Sequence, residues 1–297
     1  MKKTLAMMTA AVMVAGALSG CGSSSSTPAA TTAAATEAAT TAAATEAATT
    51  EAAGDTAAAA EGTVKTPSGK FTVGFDQEFP PMGFVGDDGQ FTGFDLELAK
   101  EVASRLGLEF VPQPINWDAK DMELDSGNID CIWNGFTMQG REDDYTWVGP
   151  YMANNQVFVV TADSDIASKA DLAGKAVEVQ KDSSGLAALQ GEAELSASFG
   201  SMTEVADYNT ALMDLESGAC DAVCMDSIVA GYQIKSSGKD MKILDDTLSA
   251  EEYGIGFKKG EDELAKAVHD TLMDMKDDGT VAKMSNDWFG SDVFTLK

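Results

Sequence analysis

From Phe71 onward, short apolar runs of β type alternate with amphipathic helical stretches, and that alternation predicts an α/β fold with largely parallel sheets. The strand candidates are 71–76, 129–133, 156–161, 176–180 and 221–226. Between the first two, Phe94, Leu98, Val102 and Leu106 recur every four residues. This spacing predicts a helix with its N-cap at Asp95 and its stop at Gly107. Leu212 and Leu215 ahead of Gly218, and Leu264, Val268, Leu272 and Met275 ahead of Gly279, repeat the pattern with the same glycine stop. The single histidine, His269, sits beside this last apolar stripe and reads as a surface or half-buried helical residue.

The pattern before residue 69 is different in kind. A basic start, Lys2 and Lys3, leads into an apolar run from Leu5 to Leu18 and then Leu18-Ser19-Gly20-Cys21. The run is too short for a membrane-spanning helix, which needs roughly 20 residues. Small residues ahead of a cysteine resemble the lipobox of bacterial lipoproteins, which implies cleavage of 1–20 before Cys21 and attachment of lipid to its thiol. An ordinary secretory signal or a short anchor is the alternative. Residues 21–68 are almost entirely Ser, Thr, Ala, Glu and Pro, with near-repeats of Ala-Ala-Thr-Glu and Val64 as their one large apolar side chain. Such a segment cannot bury enough surface to fold and reads as a tether reaching on the order of 40 Å.

The remaining residues, about 230, suffice for one large domain or two small ones. The formal charge of −28 becomes −30 once Lys2 and Lys3 leave with the leader. That balance argues against nucleic acid and against direct docking on anionic lipid, both of which need basic surfaces. Cys220 and Cys224 stand four apart on a strand-like run, about 13 Å, whereas a disulfide needs Cα atoms within about 7 Å. With His269 remote from them, metal is poorly supported, and Cys131, Cys220 and Cys224 read as small buried hydrophobes.

Candidate chemistry lies where predicted strands end, since ligands gather at the carboxyl ends of open α/β sheets. The first strand runs into Asp76-Gln77-Glu78-Phe79-Pro80-Pro81-Met82, whose adjacent prolines stiffen the turn. Phe79 is either a core residue or an exposed aromatic wall, and Asp76 either a turn cap or a ligand contact. The second runs through Trp133-Asn134-Gly135-Phe136-Thr137 to Arg141, one of only two arginines. A guanidinium beside a hydroxyl and backbone N–H groups suits a carboxylate, the alternative being a surface ion pair with Glu142 or Asp143.

In order and spacing these segments resemble the extracytoplasmic substrate-binding proteins of polar amino acid ABC importers, which have the type II periplasmic-binding-protein fold. The likeness runs from about 70 to 290. It rests on Gly74 to Met82, Gly93-Phe94-Asp95-Leu96-Glu97-Leu98-Ala99, Trp117-Asp118, the Gly-x-Thr of Gly135 to Thr137, Asp171 to Lys175, Val177 to Gln180, Asp221 to Asp226, Tyr253-Gly254-Ile255-Gly256 and Trp288-Phe289-Gly290. It implies an α/β chain of two lobes, 69–154 plus 252–297 and 155–251, whose mostly parallel sheets are joined by two crossovers near 153–157 and 250–253. By the same resemblance, Arg141, Thr137 and the Gly135 backbone, with Ser184, hold the α-carboxylate of a free amino acid, while Asp226 accepts from its α-ammonium. Phe79 and Trp117 flank its side chain, Asp76 and Gln180 touch the far end, and Asn134 completes the set. The side chain is expected to be polar, since Asp76 suits a cationic group such as that of lysine, arginine or histidine and equally an amide such as glutamine's.

Two departures from the family pattern stand out: the run from Thr137 to Arg141 is one residue short, and Asp182 replaces a usual glycine. An anion there is expected to point to solvent or to pair with Lys181. The resemblance implies a lipid-anchored monomer that works with a permease and a cytoplasmic ATPase, without a cofactor and without catalysis. A ligand sensor and a cleft enzyme are the alternatives, the latter weakened because Glu78 and Glu178 are the only glutamates expected near the cleft.

Overall fold

A computed structural model describes Thr66 and residues 68–297; the leader, Cys21 and nearly all of the tether lie outside the described residues. In chain order the strands are β1 (Lys70–Phe75), β2 (Glu78–Phe79), β3 (Gly83–Val85), β4 (Phe91–Thr92), β5 (Glu109–Pro114), β6 (Cys131–Thr137) and β7 (Tyr145–Thr161). There follow β8 (Ala176–Gln180), β9 (Ser201–Val205), β10 (Ala222–Asp226), β11 (Met241–Ile243) and β12 (Ser249–Lys258). The helices are α1 (Phe94–Leu106), α2 (Lys120–Asp125), α3 (Ser184–Gly191), α4 (Ala193–Ser198), α5 (Tyr208–Ser217), α6 (Ser227–Ser237), α7 (Asp262–Asp277) and α8 (Thr280–Phe289).

One hydrogen-bonded ladder runs β5-β1-β6-β12-β7-β10-β8-β9, with β11 against β7. The outer strands of each half pair in parallel, as βαβ crossovers require. The two central strands, β7 and β12, are antiparallel to their neighbours and carry the chain between halves. The two expected sheets are therefore continuous through β7 and β12. β2, β3 and β4 form a small separate sheet behind the first loop.

Three sequence expectations need correction. The strand expected at 156–161 begins at Tyr145, because β12 pairs with it across Gly149-Pro150 and a bulge between Tyr253 and Ile255 absorbs the irregularity. The strand expected at 129–133 runs instead from Cys131 to Thr137, so Gly135 and Thr137 are strand residues, wholly buried, and not loop residues. Asp95 is not the N-cap of α1. Gly93 occupies that position, where an added Cβ would come within 2.4 Å of the Met82 carbonyl, and Asp95 turns inward with no exposed surface.

The glycine stops at Gly107 and Gly218 are left-handed C-caps, as the pattern predicts. The third helix ends at Asp277, and Gly279 is the junction from which α8 starts. β5 escaped prediction because Pro112 and Pro114 break its pattern, which its place at the sheet edge tolerates. Cys131, Cys220 and Cys224 are free and buried, and His269 is a half-exposed residue of α7. No described helix is long and apolar enough to cross a membrane.

Candidate functional site

Strand register assembles the site before any side-chain contact is considered. Tyr253 lies opposite Thr137, Glu251 opposite Asn154, and Asp226 opposite Gln156. Side chains two apart on a strand share a face, so these six converge on one side of the sheet where β7 and β12 cross. Asn154 donates from Nδ2 both to Asp226 Oδ1 at 2.7 Å and to Glu251 Oε1 at 2.6 Å. Glu251 Oε1 also accepts from Gln156 at 2.8 Å and from the Thr137 hydroxyl at 2.9 Å, and the Tyr253 hydroxyl donates to Asp226 Oδ1 at 2.7 Å. Burial, and then the charge of Glu251, push the Asp226 carboxyl well above the ordinary range.

Phe79, Trp117, Gly135, Thr137, Arg141, Gln180, Ser183, Ser184 and Asp226 line an inner cavity of about 10 Å³. Eight of these nine were expected from sequence, and Ser183, which caps α3 by accepting from the Leu186 N–H at 3.1 Å, is the addition. The walls touch. Thr137 and Ser184 hydroxyls lie 3.2 Å apart, Gln180 Nε2 donates to Asp76 Oδ2 at 2.7 Å, and Phe79 packs against Tyr208 with ring centres 5.9 Å apart. Phe79 is thus both buried and a cleft wall. Trp117 sits edge-on to Phe136 at 5.5 Å.

The Arg141 guanidinium lies over the Phe136 ring, its centre 5.1 Å from that of the ring. It donates to the carbonyls of Thr137 at 3.2 Å and Asp182 at 3.4 Å. Among the described residues it makes no ion pair, so the alternative of a surface bridge to Glu142 or Asp143 is not realised. Asp182, at φ +55°, pairs with Lys120 and not with Lys181, which bonds Asp118 at 2.5 Å. Lys120 is almost wholly buried and also stacks on Trp117 at 5.3 Å. The extra anion is thereby neutralised from the opposite wall.

Outward from this cavity lies an open recess of about 900 Å³, around which stand Asp76, Glu78, Asp118, Glu123, Glu204 and Asp207 with Lys181 the one cation. Burial raises the Asp76 carboxyl to about 6, although it accepts from the Glu78 N–H and from Gln180.

Two expected residues do not line the inner cavity as assigned. Asn134 stands behind the wall, where its Oδ1 accepts from the Asp76 N–H at 3.0 Å and steadies that turn. The Gly135 N–H is already committed to Asp95 Oδ2 at 2.7 Å, so Gly135 contributes space to the cavity and no free donor. Its φ of +57° and two rings 3.0 Å from where a Cβ would sit admit only glycine.

Sequence reasoning missed Glu251, Tyr208 and the support role of Asp95, and it wrongly restricted the cleft glutamates to Glu78 and Glu178. Glu178 faces Asp214 and Cys220 instead. The alternation that places Glu251 two residues before buried Tyr253 was the available signal.

A model of the bacterial extracellular solute-binding proteins, family 3, matches residues 71–291. The L-cystine-binding protein TcyJ of Escherichia coli (strain K12) is 32% identical over 231 residues, 76% of this chain and 84% of the relative. The L-cystine-binding protein TcyA of Bacillus subtilis (strain 168) is 32% identical over 229 residues, 76% and 83%. Among solved structures, an ABC uptake transporter substrate-binding protein from Streptococcus pneumoniae with bound histidine superposes with a TM-score of 0.74. It is 33% identical, and the match covers 77% of this chain and 95% of that one. With strand order, cleft and sequence in agreement, the chain belongs to the bacterial extracellular solute-binding proteins of family 3, built on the two-lobed type II periplasmic-binding fold.

Proposed function

We propose that this protein is the extracytoplasmic receptor of an ABC importer, capturing one free amino acid between its lobes and presenting it, chemically unchanged, to a membrane permease. The observation that carries the reading is the pair of opposite charges at the inner cavity. Arg141, without a carboxylate partner among the described residues, and Asp226, joined to Glu251 through Asn154, both line it. Such a pair matches an α-carboxylate and an α-ammonium, each charge-assisted bond contributing about 1.5 to 3 kcal/mol.

A cavity of about 10 Å³ has no room for an amino acid. Entry therefore requires the lobes, 69–154 plus 252–297 and 155–251, to swing apart about the crossing strands, separating Thr137 from Ser184 and Asp76 from Gln180. The acidic surround of the recess, centred on Asp76, favours a ligand with a positive group at its far end: arginine, lysine, histidine or the second ammonium of cystine. The cystine- and histidine-binding relatives fit that class. Lipid on Cys21 and the 21–68 tether would hold the receptor at the outer face of the membrane. Cys21→Ala is expected to release it into the soluble fraction.

The test is a thermal-shift panel of the twenty amino acids and cystine on unfolded and refolded protein. Ligand at 100 times its dissociation constant adds about 2.7 kcal/mol, several degrees for a domain of this size. Arg141→Ala and Asp226→Ala are each expected to abolish the shift while circular dichroism stays native. No shift with any amino acid would overturn the reading.

A further inference from the structure

Glu251 stands outside every role that the sequence assigned, yet a single oxygen of its carboxylate gathers several side-chain donors of the cleft. Its Oε1 accepts from Thr137, Asn154 and Gln156, with the Ser184 hydroxyl at 3.4 Å. One amide nitrogen, Asn154 Nδ2, serves both it and Asp226, which holds the two carboxyls within bonding reach of each other. Both are more than nine-tenths buried.

Side chains from several elements face the two carboxyls. β7 offers the neutral Asn154 and Gln156, β12 Tyr253, β6 Thr137, β10 Cys224, and α3 Ser184. From α5 comes Tyr208, whose hydroxyl has no hydrogen-bond partner. Ser227 of α6 bonds Asn154 Oδ1. Arg141, the one cation lining the cavity, is directed at two carbonyls. No lysine, arginine or histidine pairs with either carboxyl among the described residues. Two like charges buried this close, with no cation paired to either, repel one another strongly.

We infer that Glu251 and Asp226 together form the amino end of the site, and that a ligand ammonium displaces the proton they share, so that capture of one amino acid releases one proton to solvent. The ammonium keeps its own three protons and supplies the charge that the shared proton had balanced. Asn154 and Gln156 continue to bond the two carboxylates. Glu251 is thus a specificity residue: it doubles the negative charge facing the amino group and selects against ligands without one.

The inference rests on the amino-acid reading above, and the experiment separates the two. The full chain is titrated calorimetrically at pH 7 with L-arginine, L-lysine, L-histidine, L-glutamine and L-cystine in turn, each in two buffers of different ionisation enthalpy. For a ligand that binds, close to one proton is expected to be released, with affinity rising about tenfold per pH unit between pH 6 and 7. In Glu251→Gln, which keeps an acceptor for Asn154, proton release is expected to fall near zero. Binding without proton release in the wild type, or unchanged release in Glu251→Gln, would overturn the inference. Absence of binding by all five, together with no shift from any member of the twenty-amino-acid panel, would overturn the reading beneath it and the inference together. Should Glu251→Gln fail to bind, infrared spectroscopy of the ligand-free protein decides. In wild-type-minus-variant difference spectra, a protonated-carboxyl component lost in both Glu251→Gln and Asp226→Asn supports the shared proton, and no loss in either refutes it.

Discussion

At Gly135 the backbone and the cavity constrain one another. Its left-handed φ is unfavourable for any residue with a Cβ, and the rings of Phe79 and Tyr253 leave no space for one. Gly135→Ala is expected to cost about 1 to 3 kcal/mol and to weaken ligand binding at least tenfold, measured by denaturant unfolding and calorimetry. Asp95 supports the same point from behind, accepting from the Gly135 N–H and the Tyr151 hydroxyl, both at 2.7 Å. Asp95→Ala strands two buried donors at roughly 1 to 3 kcal/mol each, so a lower urea midpoint with an unchanged m-value is expected. The sequence named Gly135, which lines the inner cavity, for a donor that Asp95 already occupies, and it took Asp95 for a cap. Local spacing cannot show that a side chain in the first turn of a helix reaches a strand forty residues away.

Among the elements, β6 and β8 each carry their site residues to one end, and the loop after β8 meets the segment before α2 across the cleft. Lys120 with Asp182 and Asp118 with Lys181 form two reciprocal bridges between the walls. The second pair is largely exposed and contributes little, whereas the Lys120 ammonium is buried and depends on its partner. Lys120→Met is therefore expected to ease opening, lowering ligand affinity by a factor of a few, chiefly through faster dissociation, as stopped-flow fluorescence of Trp117 would detect. Lys181→Ala should change it little. The expectation that Asp182 would turn to solvent or to Lys181 considered only its chain neighbour. The partner that holds it is 62 residues away.

For the whole molecule, buried carboxyls set the response to acid. Burial raises Asp76 to about 6 and Asp95 to about 7, against an ordinary 3.8 when unfolded. The native state therefore binds more protons than the unfolded state between pH 4 and 7, so stability falls as pH rises through this window. The net charge of −28 acts in the same direction, because protonation relieves repulsion. Asp278, lowered to about 2 by Thr280 and Arg105, opposes this trend only below pH 4. The melting temperature is expected to be higher at pH 5.5 than at pH 8.0, and Asp95→Asn to narrow the difference. An equal or reversed order would contradict the assignment of these shifts.

By itself the sequence determined the α/β class, three amphipathic helices, two of them with their glycine ends, three buried cysteines and eight of the nine residues that line the inner cavity. Those features follow from short-range periodicity, from backbone preferences and from the order of motifs along the chain. Only the tertiary structure decided that β7 is one strand from Tyr145 to Thr161, that Lys120 answers Asp182, and that Glu251 shares the cleft with Asp226. Ser249-Ala250-Glu251-Glu252 is too polar to read as a strand until β7 pairs with it. The burial of a carboxyl is a property of that pairing: it is the register between distant strands, and no local pattern, that removes the charge from water and supplies its hydrogen bonds.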